Sequence, residues 1–376
     1  MREWGYFLFF LSFFCFYFAG SMYAAWRVNA GLKLIAPYKH YIYIAAALMA
    51  AVSAIAYAFS KYNIEPFAVY LGVPGGIWMG IVGISATVFI LNDLINCVNL
   101  IFKIKKFRYY STVVSLVFIA ALVVWSLMNA AFILKVKEVK IKVPDLKTDS
   151  LSITLLSDIH IDKHVSFRSV QKIVDMANSL NSDIIAITGD IADSDLSETY
   201  AKYGLDKLHA RYGIFAVTGN HEYYTGAGYY IKLCEELGIV LLRNENIMLK
   251  DGDKEIIAIA GINDKKGKAH KVDDVDIEAA FEGIENNVPV LFLSHRPEYF
   301  DFVKNKEMSA VQLSGHTHAG QIPPLEFIRK LMKYNYGVYE SGAAKMYVTS
   351  GNRWWRIPMR TFNASEIVKI TLEKQE

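Results

Sequence analysis

Histidine and aspartate side chains recur at five places in the sequence, each directly after a short apolar run and beside a glycine or serine. The clearest place is Gly315-His316-Thr317-His318, which follows the run that ends at Leu313. In an extended segment, side chains two residues apart point the same way, so His316 and His318 can face one pocket. The other four places hold the further candidates Asp158, His160, Asp190, Asn220, His221 and His295.

These residue types point to divalent cations. Imidazole and carboxylate groups together suit borderline ions such as Mn, Fe, Co and Zn. Seven candidate ligands are too many for one tetrahedral zinc ion but suit two ions that share a carboxylate. They are Asp158, His160, Asp190, Asn220, His295, His316 and His318. Two such ions about 3.5–4 Å apart polarise a phosphoryl group and deprotonate a water, so no serine or cysteine nucleophile is required.

Each candidate alone also has an ordinary structural interpretation. Gly219-Asn220 is a common turn pair, and Asp190 could cap a following helix. A single His160 or His295 is typical of a buried or loop position. The metal-site interpretation is favoured because all five places occur in one chain.

The elements that must position these residues are short strands alternating with helices from Lys135 onward. Apolar runs such as Leu151–Leu156, Asp183–Thr188, Gly213–Thr218 and Val290–Leu293 predict strands. Strands that alternate with helices imply a layered α/β domain. Ligands of open α/β sheets bind beyond the carboxyl ends of the strands. All five places lie at such ends, so their side chains can converge.

Five short patterns in this order resemble the motifs of the calcineurin-like metallophosphoesterases. They are Asp158-x-His160, Gly189-Asp190, Gly219-Asn220-His221-Glu222, His295 and Gly315-His316-x-His318. The resemblance covers roughly residues 148–372. It implies an α/β domain of two β-sheets flanked by helices, a four-layer αββα sandwich.

The resemblance also implies roles for individual residues. Asp158, His160 and His318 would hold one ion, and Asp190 would bridge to the other. Asn220, His295 and His316 would hold the second ion. His221 would contact the phosphate and protonate the leaving oxygen, a contribution typically worth about 10²–10⁴ in rate. The implied cofactors are two divalent ions, Mn, Fe, Zn or Co.

The N-terminal part of the chain has a membrane composition. Four apolar runs, Gly5–Trp26, Tyr41–Ser60, Gly75–Phe102 and Ser111–Leu134, are separated by short polar segments. A helix of about 20 residues crosses a hydrocarbon layer of about 30 Å. The sequence therefore predicts a bundle of four transmembrane α-helices at residues 1–134, followed by the metallophosphoesterase domain at residues 135–376.

Basic residues in the short loops predict the orientation of a multi-pass integral membrane protein. The first loop carries Arg27, Lys33 and Lys39, and the third carries Lys103, Lys105, Lys106 and Arg108. Loops rich in Lys and Arg stay in the cytoplasm, so an even number of spans places the catalytic domain outside the cytoplasm. The lysines at 135, 137, 140 and 142 instead fit the polar side of a strand whose other side carries Val139, Ile141 and Val143.

The partners expected from this organisation are the lipid bilayer and a phosphate-containing substrate, with lipid-linked phosphates among the candidates. Lys and Arg (40) barely exceed Asp and Glu (37), which gives no footprint for nucleic acid. Three cysteines define no disulfide framework. Residues 325–360 mix aromatic, aliphatic and basic side chains, which suits the headgroup region but also fits ordinary packing with a solvated basic face. Arg353, Arg356 and Arg360 are the candidate substrate-binding residues there.

Three functions follow from these observations. The first is hydrolysis of phosphate ester or pyrophosphate bonds on membrane-associated or lipid-linked substrates. The second is the same chemistry on soluble nucleotides, with the helices serving only as a tether. The third is a non-catalytic metal-binding scaffold, which is disfavoured because every ligand position and His221 are present.

Overall fold

The computed structural model describes residues 2–61, 67–162, 165–193, 203–306 and 308–375 of the chain. It divides into two compact units. The helical unit comprises Met1–Ile133, Gln321–Ile328 and Arg356–Phe362, and the α/β unit comprises Leu134–Gly320, Arg329–Trp355 and Asn363–Glu376. The linear division into domains at residues 1–134 and 135–376 stays a prediction.

Four helices form most of the helical unit. They are α1 (Arg2–Leu32), α2 (Tyr38–Lys61), α3 (Phe67–Phe102) and α4 (Phe107–Phe132). Among the described residues, three helical stretches are long and apolar enough to cross a membrane: Tyr38–Ala56, Tyr70–Phe102 and Phe107–Phe132. The first helix is not one of the three, so the predicted fourth span stays a prediction.

Two segments from late in the sequence pack into the core of the helical unit. Ile322 and Met359 are buried in one apolar cluster with Ile84, Phe89 and Ile119 of α3 and α4. Because apolar burial stabilises by roughly 25 cal/mol per Å², these contacts tie both segments to the helices.

Hydrogen bonds reinforce this attachment. The indole of Trp125 donates to the carbonyl of Thr361 at 2.7 Å, and the Asn129 amide donates to the carbonyl of Arg360 at 3.0 Å. The backbone N–H of Arg360 in turn donates to the carbonyl of Ser126 at 2.9 Å. Backbone groups of Arg360 and Thr361 therefore find hydrogen-bond partners on α4.

The described residues of the α/β unit form twelve strands in two mixed sheets. The strands of the first sheet are β1 (Leu134–Val143), β2 (Ser150–Leu156), β3 (Ile184–Ile187), β4 (Ile214–Ala216), β5 (Val240–Leu241) and β12 (Ser365–Lys374). Those of the second are β6 (Glu245–Asp251), β7 (Lys254–Gly261), β8 (Val290–Leu293), β9 (Ala310–Ser314), β10 (Gly337–Ser341) and β11 (Ala344–Val348). The α/β class with two sheets is confirmed.

The strand order brings the functional strands next to one another. The first sheet has the order β1-β12-β2-β3-β4-β5, and the second has the order β10-β11-β9-β8-β7-β6. Strands β2, β3 and β4 pair in parallel, as do β7, β8 and β9. Their carboxyl ends therefore lie together at one edge of each sheet.

Three apolar cores hold these layers. One core contains residues of both sheets, such as Leu155 of β2 and Leu313 of β9, and so lies between them. A second core packs the first sheet against α5 (Phe167–Ser179) and α7 (Ala227–Leu237). A third packs the second sheet against α9 (Ile277–Phe281) and α10 (Phe300–Val303). The strands are therefore rigid supports for the loops at their ends.

Candidate metal centre

The candidate residues lie in the loops that follow five parallel strands. Asp158 and His160 follow β2, Asp190 follows β3, and His295 follows β8. The loop after β4 leads into the short helix α6 (Asn220–Thr225), which begins with Asn220 and His221, and β9 leads to His316 and His318. The eight candidate side chains all belong to the α/β unit, and the structure brings them together.

Asp158, His160 and His318 form the first donor group. Asp158 Oδ1 lies 3.4 Å from His318 Nε2 and 3.9 Å from His160 Nε2, and the two Nε2 atoms are 3.1 Å apart. The other ring nitrogen of His160 faces a carboxylate oxygen of Asp193 at 2.8 Å. A histidine held in this way presents its remaining nitrogen to a cation.

Asp190, Asn220, His295 and His316 form the second donor group. His295 Nε2 lies 3.2 Å from Asp190 Oδ2 and 3.2 Å from Asn220 Oδ1. It is also 3.1 Å from His316 Nδ1. The Nδ1 atom of His295 donates to the carbonyl of Thr188 at 2.8 Å, which fixes the ring. Asp190, Asn220 and His295 are buried, and His316 is partly buried.

Asp190 connects the two donor groups. Its Oδ2 atom lies 3.2 Å from His295 in the second group and 3.9 Å from His160 in the first. Its Oδ1 atom accepts the backbone N–H of His221 at 2.9 Å. A carboxylate in this position can bind a cation on either side.

His221 stands beside Asp190 and is held by a carboxylate that sequence reasoning missed. Its Nδ1 atom lies 2.8 Å from Asp193 Oδ1, the same oxygen that faces His160. The His221 ring also contacts Trp355 and Tyr224 edge-on, with centroids 5.4 Å and 5.2 Å away. Asp193 follows Asp190 by three residues in the same loop, and that spacing was the available signal.

Glu222 joins the loop after β3 to the loop after β4. It is fully buried and accepts the backbone N–H groups of Asp190, Ile191 and Gly219 at 3.0, 2.8 and 2.7 Å. Burial, together with the nearby charge of Asp190, raises the pKa of Glu222 to about 7. This side chain therefore locks the loop after β3 against the loop after β4.

Charges in the centre are strongly coupled. Burial alone would lower the pKa of His160 and His295, but the surrounding carboxylates outweigh it and raise these values to about 9 and about 10. Burial would raise the pKa of Asp190, yet His295 and His221 outweigh it and hold the value well below the ordinary one. The Asp190 carboxylate is therefore ionised at neutral pH and carries negative charge of the kind that a cation site requires.

The backbone that carries the ligands is strained. Asp158, His160, Asp190, His316 and His318 all lie in the left-handed region, with φ of 55°, 50°, 53°, 71° and 49°. Non-glycine residues in this region cost of the order of 1 kcal/mol or more each. Such strain persists only where surrounding contacts over-determine it, and it clusters at functional sites.

Two glycines allow the backbone to lie directly against the carboxylates of the donor groups. A Cβ atom at Gly219 would overlap the Asp190 carboxylate, and one at Gly315 would overlap the Asp158 carboxylate and the Ser157 hydroxyl. These positions explain why a glycine stands beside the polar residue in both motifs.

The three predicted substrate-binding arginines lie in different surroundings. Arg353 of the α/β unit donates to the carbonyls of Ile159 and His160, both at 3.3 Å. It therefore holds the loop that carries the first donor group. Arg356 is exposed and Arg360 is fully buried, and both belong to the helical unit.

An ion pair that sequence reasoning missed lies against the second donor group. Arg296 Nε donates to Asp264 Oδ2 at 2.6 Å, and its Nη1 atom lies 2.7 Å from His316 Nε2. Its Nη2 atom donates to Asn220 Oδ1 at 3.3 Å. Arg296 directly follows His295, but Asp264 follows β7, whose end carries no recognisable motif.

The residues present fit divalent cations. Three sets of donor atoms lie within 4.8 Å of one another: Asp158 with His160 and His318, His160 with Asp190 and His221, and Asp190 with His295 and His316. Nitrogen and oxygen donors of this mixture suit Mn, Fe, Co or Zn. The hydrogen bonds to the far ring nitrogens of His160 and His295 are the outer contacts that metal-binding histidines use.

Comparisons with known proteins agree with this chemistry. The family model of the calcineurin-like phosphoesterases matches residues 151–320. A "Transmembrane protein with metallophosphoesterase domain" of Danio rerio is 35% identical over 278 residues, which are 71% of this chain and 63% of that protein. The "Uncharacterized metallophosphoesterase Cj0846" of Campylobacter jejuni is 32% identical over 282 residues, 72% of this chain and 73% of that protein. The chain thus spans less than two thirds of the Danio rerio relative.

Proposed function

Because the chain belongs to the calcineurin-like metallophosphoesterases, we propose that it is a metal-dependent hydrolase of phosphate ester or pyrophosphate bonds. The observation that carries the proposal is the pair of donor groups joined by Asp190, whose Oδ2 atom lies 3.2 Å from His295 and 3.9 Å from His160. A structural role for buried histidines does not require this many ionisable groups to converge.

In this proposal the first donor group would hold one divalent cation and the second would hold another, and Asp190 lies between the two groups. The two ions would polarise the phosphoryl group and activate the attacking water. The residues themselves bind and orient the substrate, and their burial excludes bulk water from the phosphate.

His221 is proposed as the general acid. Its Nδ1 atom is engaged by Asp193 at 2.8 Å, so its Nε2 atom is the one available to the leaving oxygen. The Asp193 carboxylate at Nδ1 keeps the ring oriented. The edge-on contacts with Trp355 and Tyr224 restrict the ring further.

We also propose that the substrate is membrane-associated, and that the protein crosses the membrane four times with its catalytic domain outside the cytoplasm. Three candidate spans and the basic first and third loops support this arrangement, and the fourth span is carried by the apolar run Gly5–Trp26 of the sequence. Leu325, Phe327 and Ile328 of the helical unit are exposed apolar residues near Lys330 in the sequence, and Phe362 of the same unit is also exposed. Such a mixture of side chains suits the headgroup region of a bilayer. An enzyme anchored in the membrane has its greatest advantage with lipid-borne phosphates, because their local concentration beside the anchor is high.

The first test is hydrolysis by the full chain in detergent with added Mn²⁺. Bis(p-nitrophenyl) phosphate and p-nitrophenyl phosphate report diester and monoester cleavage. Asp190→Ala should reduce kcat/KM by several orders of magnitude, and His221→Ala by about 10²–10⁴. His209→Ala is the matched control, because His209 is exposed and lies outside the donor groups.

A second comparison separates the substrate classes. A lipid-linked pyrophosphate in mixed micelles and a soluble nucleotide pyrophosphate are supplied at equal bulk concentration. Preference for the micellar substrate supports the membrane proposal, and equal or better cleavage of the nucleotide supports the tethered soluble-substrate enzyme. Failure to hydrolyse any ester with Mn, Fe, Co or Zn would refute both enzyme hypotheses and favour the non-catalytic metal-binding scaffold.

Labelling of a single cysteine tests the orientation. Lys250→Cys in a background without Cys15, Cys97 and Cys234 places an exposed thiol in the α/β unit. An impermeant maleimide should label it in intact cells. Protection until the cells are permeabilised would place the α/β unit in the cytoplasm.

A further inference from the structure

Trp355 and Tyr224 are aromatic side chains at the metal centre that the packing of the α/β unit does not account for. Both are exposed, with 38% and 51% of their surface open to solvent. Neither belongs to the three apolar cores that the described residues of this unit form. One exposed ring on a protein surface is ordinary, but two that border the same polar site indicate a ligand that covers them, because aromatic rings have a large apolar surface to bury.

Trp355 is placed by the polar contacts of the loop after β11. The backbone N–H of Arg353 donates to the carbonyl of Asp158 at 3.3 Å, and its Nη1 atom donates to the carbonyl of Ile159 at 3.3 Å. Gly351 allows this close approach, because its φ is 85° and a Cβ atom there would lie 2.9 Å from the Asp158 Cβ atom. The loop is therefore fastened to the loop that carries the first donor group, and Trp355 follows directly after the attachment.

Tyr224 is placed by two short helices. It lies in α6, three residues after His221, and α8 (Lys266–His270) lies beside that helix. The ammonium of Lys266 lies 5.4 Å from the centre of the Tyr224 ring, and the His270 ring lies 6.0 Å from it. A cation near an aromatic ring is attracted to its π electrons, so these contacts orient the Tyr224 ring while half of it stays exposed.

Both rings lie against His221. The ring centroids of Trp355 and Tyr224 are 5.4 Å and 5.2 Å from that of His221, with interplanar angles of 79° and 80°. The Trp355 ring also lies 6.4 Å from the ring of His160 in the first donor group. The two aromatic side chains therefore border the side chain that is proposed to contact the leaving oxygen.

We propose that Trp355 and Tyr224 form a subsite for the leaving group of the substrate, and that this leaving group carries a planar aromatic ring. The subsite rests on the proposed phosphoesterase function and adds the chemical class of the group that leaves. His221 Nδ1 faces Asp193 at 2.8 Å, which leaves Nε2 for the leaving oxygen. A substituent on that oxygen begins beside both rings, and planar aromatic groups stack on aromatic side chains.

The test measures the binding of benzylphosphonate and ethylphosphonate by titration calorimetry to the full-length, Mn²⁺-loaded protein in detergent. In benzylphosphonate a methylene group stands where phenyl phosphate has its leaving oxygen, so the compound carries the ring but has no ester bond to hydrolyse. Ethylphosphonate keeps the methylene group without the ring. The ratio of the two affinities therefore reports recognition of the ring independently of catalysis.

The variants remove one ring at a time and are compared at equal Mn content, measured by mass spectrometry. Trp355→Leu and Tyr224→Leu keep an apolar side chain without a ring, and Trp355→Phe keeps a ring. The matched control is Tyr229→Leu, because Tyr229 is 49% exposed and lies in α7, outside the donor groups.

The wild type should bind benzylphosphonate about 5- to 150-fold more tightly than ethylphosphonate, the range for stacking of one base on an aromatic side chain. Trp355→Leu should lose most of this ratio and Tyr224→Leu part of it, whereas Trp355→Phe and Tyr229→Leu should keep it. In hydrolysis, Trp355→Leu should lower kcat/KM more for p-nitrophenyl phosphate than for 2,2,2-trifluoroethyl phosphate, by the same factor.

Two results would overturn the subsite. One is a ratio of the two phosphonate affinities near one in the wild type, or an unchanged ratio in both Leu variants at the metal centre. The other is an equal loss of kcat/KM on both esters, which would make the two rings supports for His221 alone. Trp355-dependent binding of benzylphosphonate without hydrolysis of any ester would support the subsite and refute the proposed enzyme.

Discussion

The two histidines that share Asp193 make Asp193→Asn the most informative substitution. Asp193 Oδ1 lies 2.8 Å from His160 Nδ1 and 2.8 Å from His221 Nδ1. Burial would raise the pKa of Asp193, but His160 and His221 outweigh it and hold the value well below the ordinary one. The carboxylate is therefore ionised and accepts two charge-assisted hydrogen bonds.

The expected loss follows from these contacts. A hydrogen bond to a charged group contributes about 1.5–3 kcal/mol. Both histidines contact the same oxygen, Oδ1. An asparagine amide keeps that oxygen without its negative charge, so each bond weakens by about 1–1.5 kcal/mol to the strength of a neutral hydrogen bond. Since about 1.4 kcal/mol is tenfold in rate, kcat/KM should fall about 10- to 100-fold. The His160 contact should also weaken Mn²⁺ binding by about 10- to 100-fold.

Two measurements separate the two contacts. Mn²⁺ titration followed by mass spectrometry reports the His160 contact. At saturating Mn²⁺, the ratio of kcat for phenyl phosphate to kcat for p-nitrophenyl phosphate reports the His221 contact, because a poor leaving group depends more on the general acid.

The control is Asp183→Asn, since Asp183 also accepts two hydrogen bonds, from the N–H and hydroxyl of Ser152 at 2.9 and 2.6 Å. Asp183 lies at the start of β3, away from the donor groups. Wild-type rates on both substrates and normal Mn²⁺ affinity in Asp193→Asn would refute the reasoning.

The remaining predictions concern the donor groups, the residues that support them, and the helical unit. Glu222→Ala leaves three buried backbone N–H groups without an acceptor, at a cost of about 1–3 kcal/mol each. Thermal denaturation should therefore show a loss of about 3 kcal/mol or more in the free energy of unfolding. In chelator-treated protein, His160 and His295 with pKa values of about 9 and about 10 stabilise the fold most below pH 6.5 and lose that contribution as pH rises through 9 to 10. Because Mn²⁺ must displace these protons, its affinity by titration should be higher at pH 9 than at pH 7. Gly83→Leu should dislodge segment 321–328, since a Cβ atom there would lie 2.6 Å from the Pro323 carbonyl oxygen, and limited proteolysis in detergent should reveal it. Arg356→Gln should raise KM for a lipid-linked substrate and leave a small chromogenic ester unaffected.

The α/β class could be predicted because its signals are local. Val139, Ile141 and Val143 alternate with lysines, and all three are buried in β1. The candidate ligands could be located because each directly follows a buried strand and the carboxyl ends of parallel strands meet.

Other features could not be predicted because they depend on contacts between distant residues. Asp264 pairs with Arg296 from a strand end that carries no motif. Nothing in local spacing indicates that Trp125 binds the carbonyl of Thr361. Asp193 lies between these cases, since its position near Asp190 was visible but its two histidine partners were not.

The packing of Ile322 and Met359 against Ile84 and Phe89 has a consequence for biosynthesis. The helices leave the ribosome first, yet their apolar core is completed only when residues 321–328 and 356–362 have been translated. Until then the newly made helices expose a surface that lipid or an insertion factor must shield. A version cut before residue 321 should therefore be a target for quality-control proteases, even though its helices are intact.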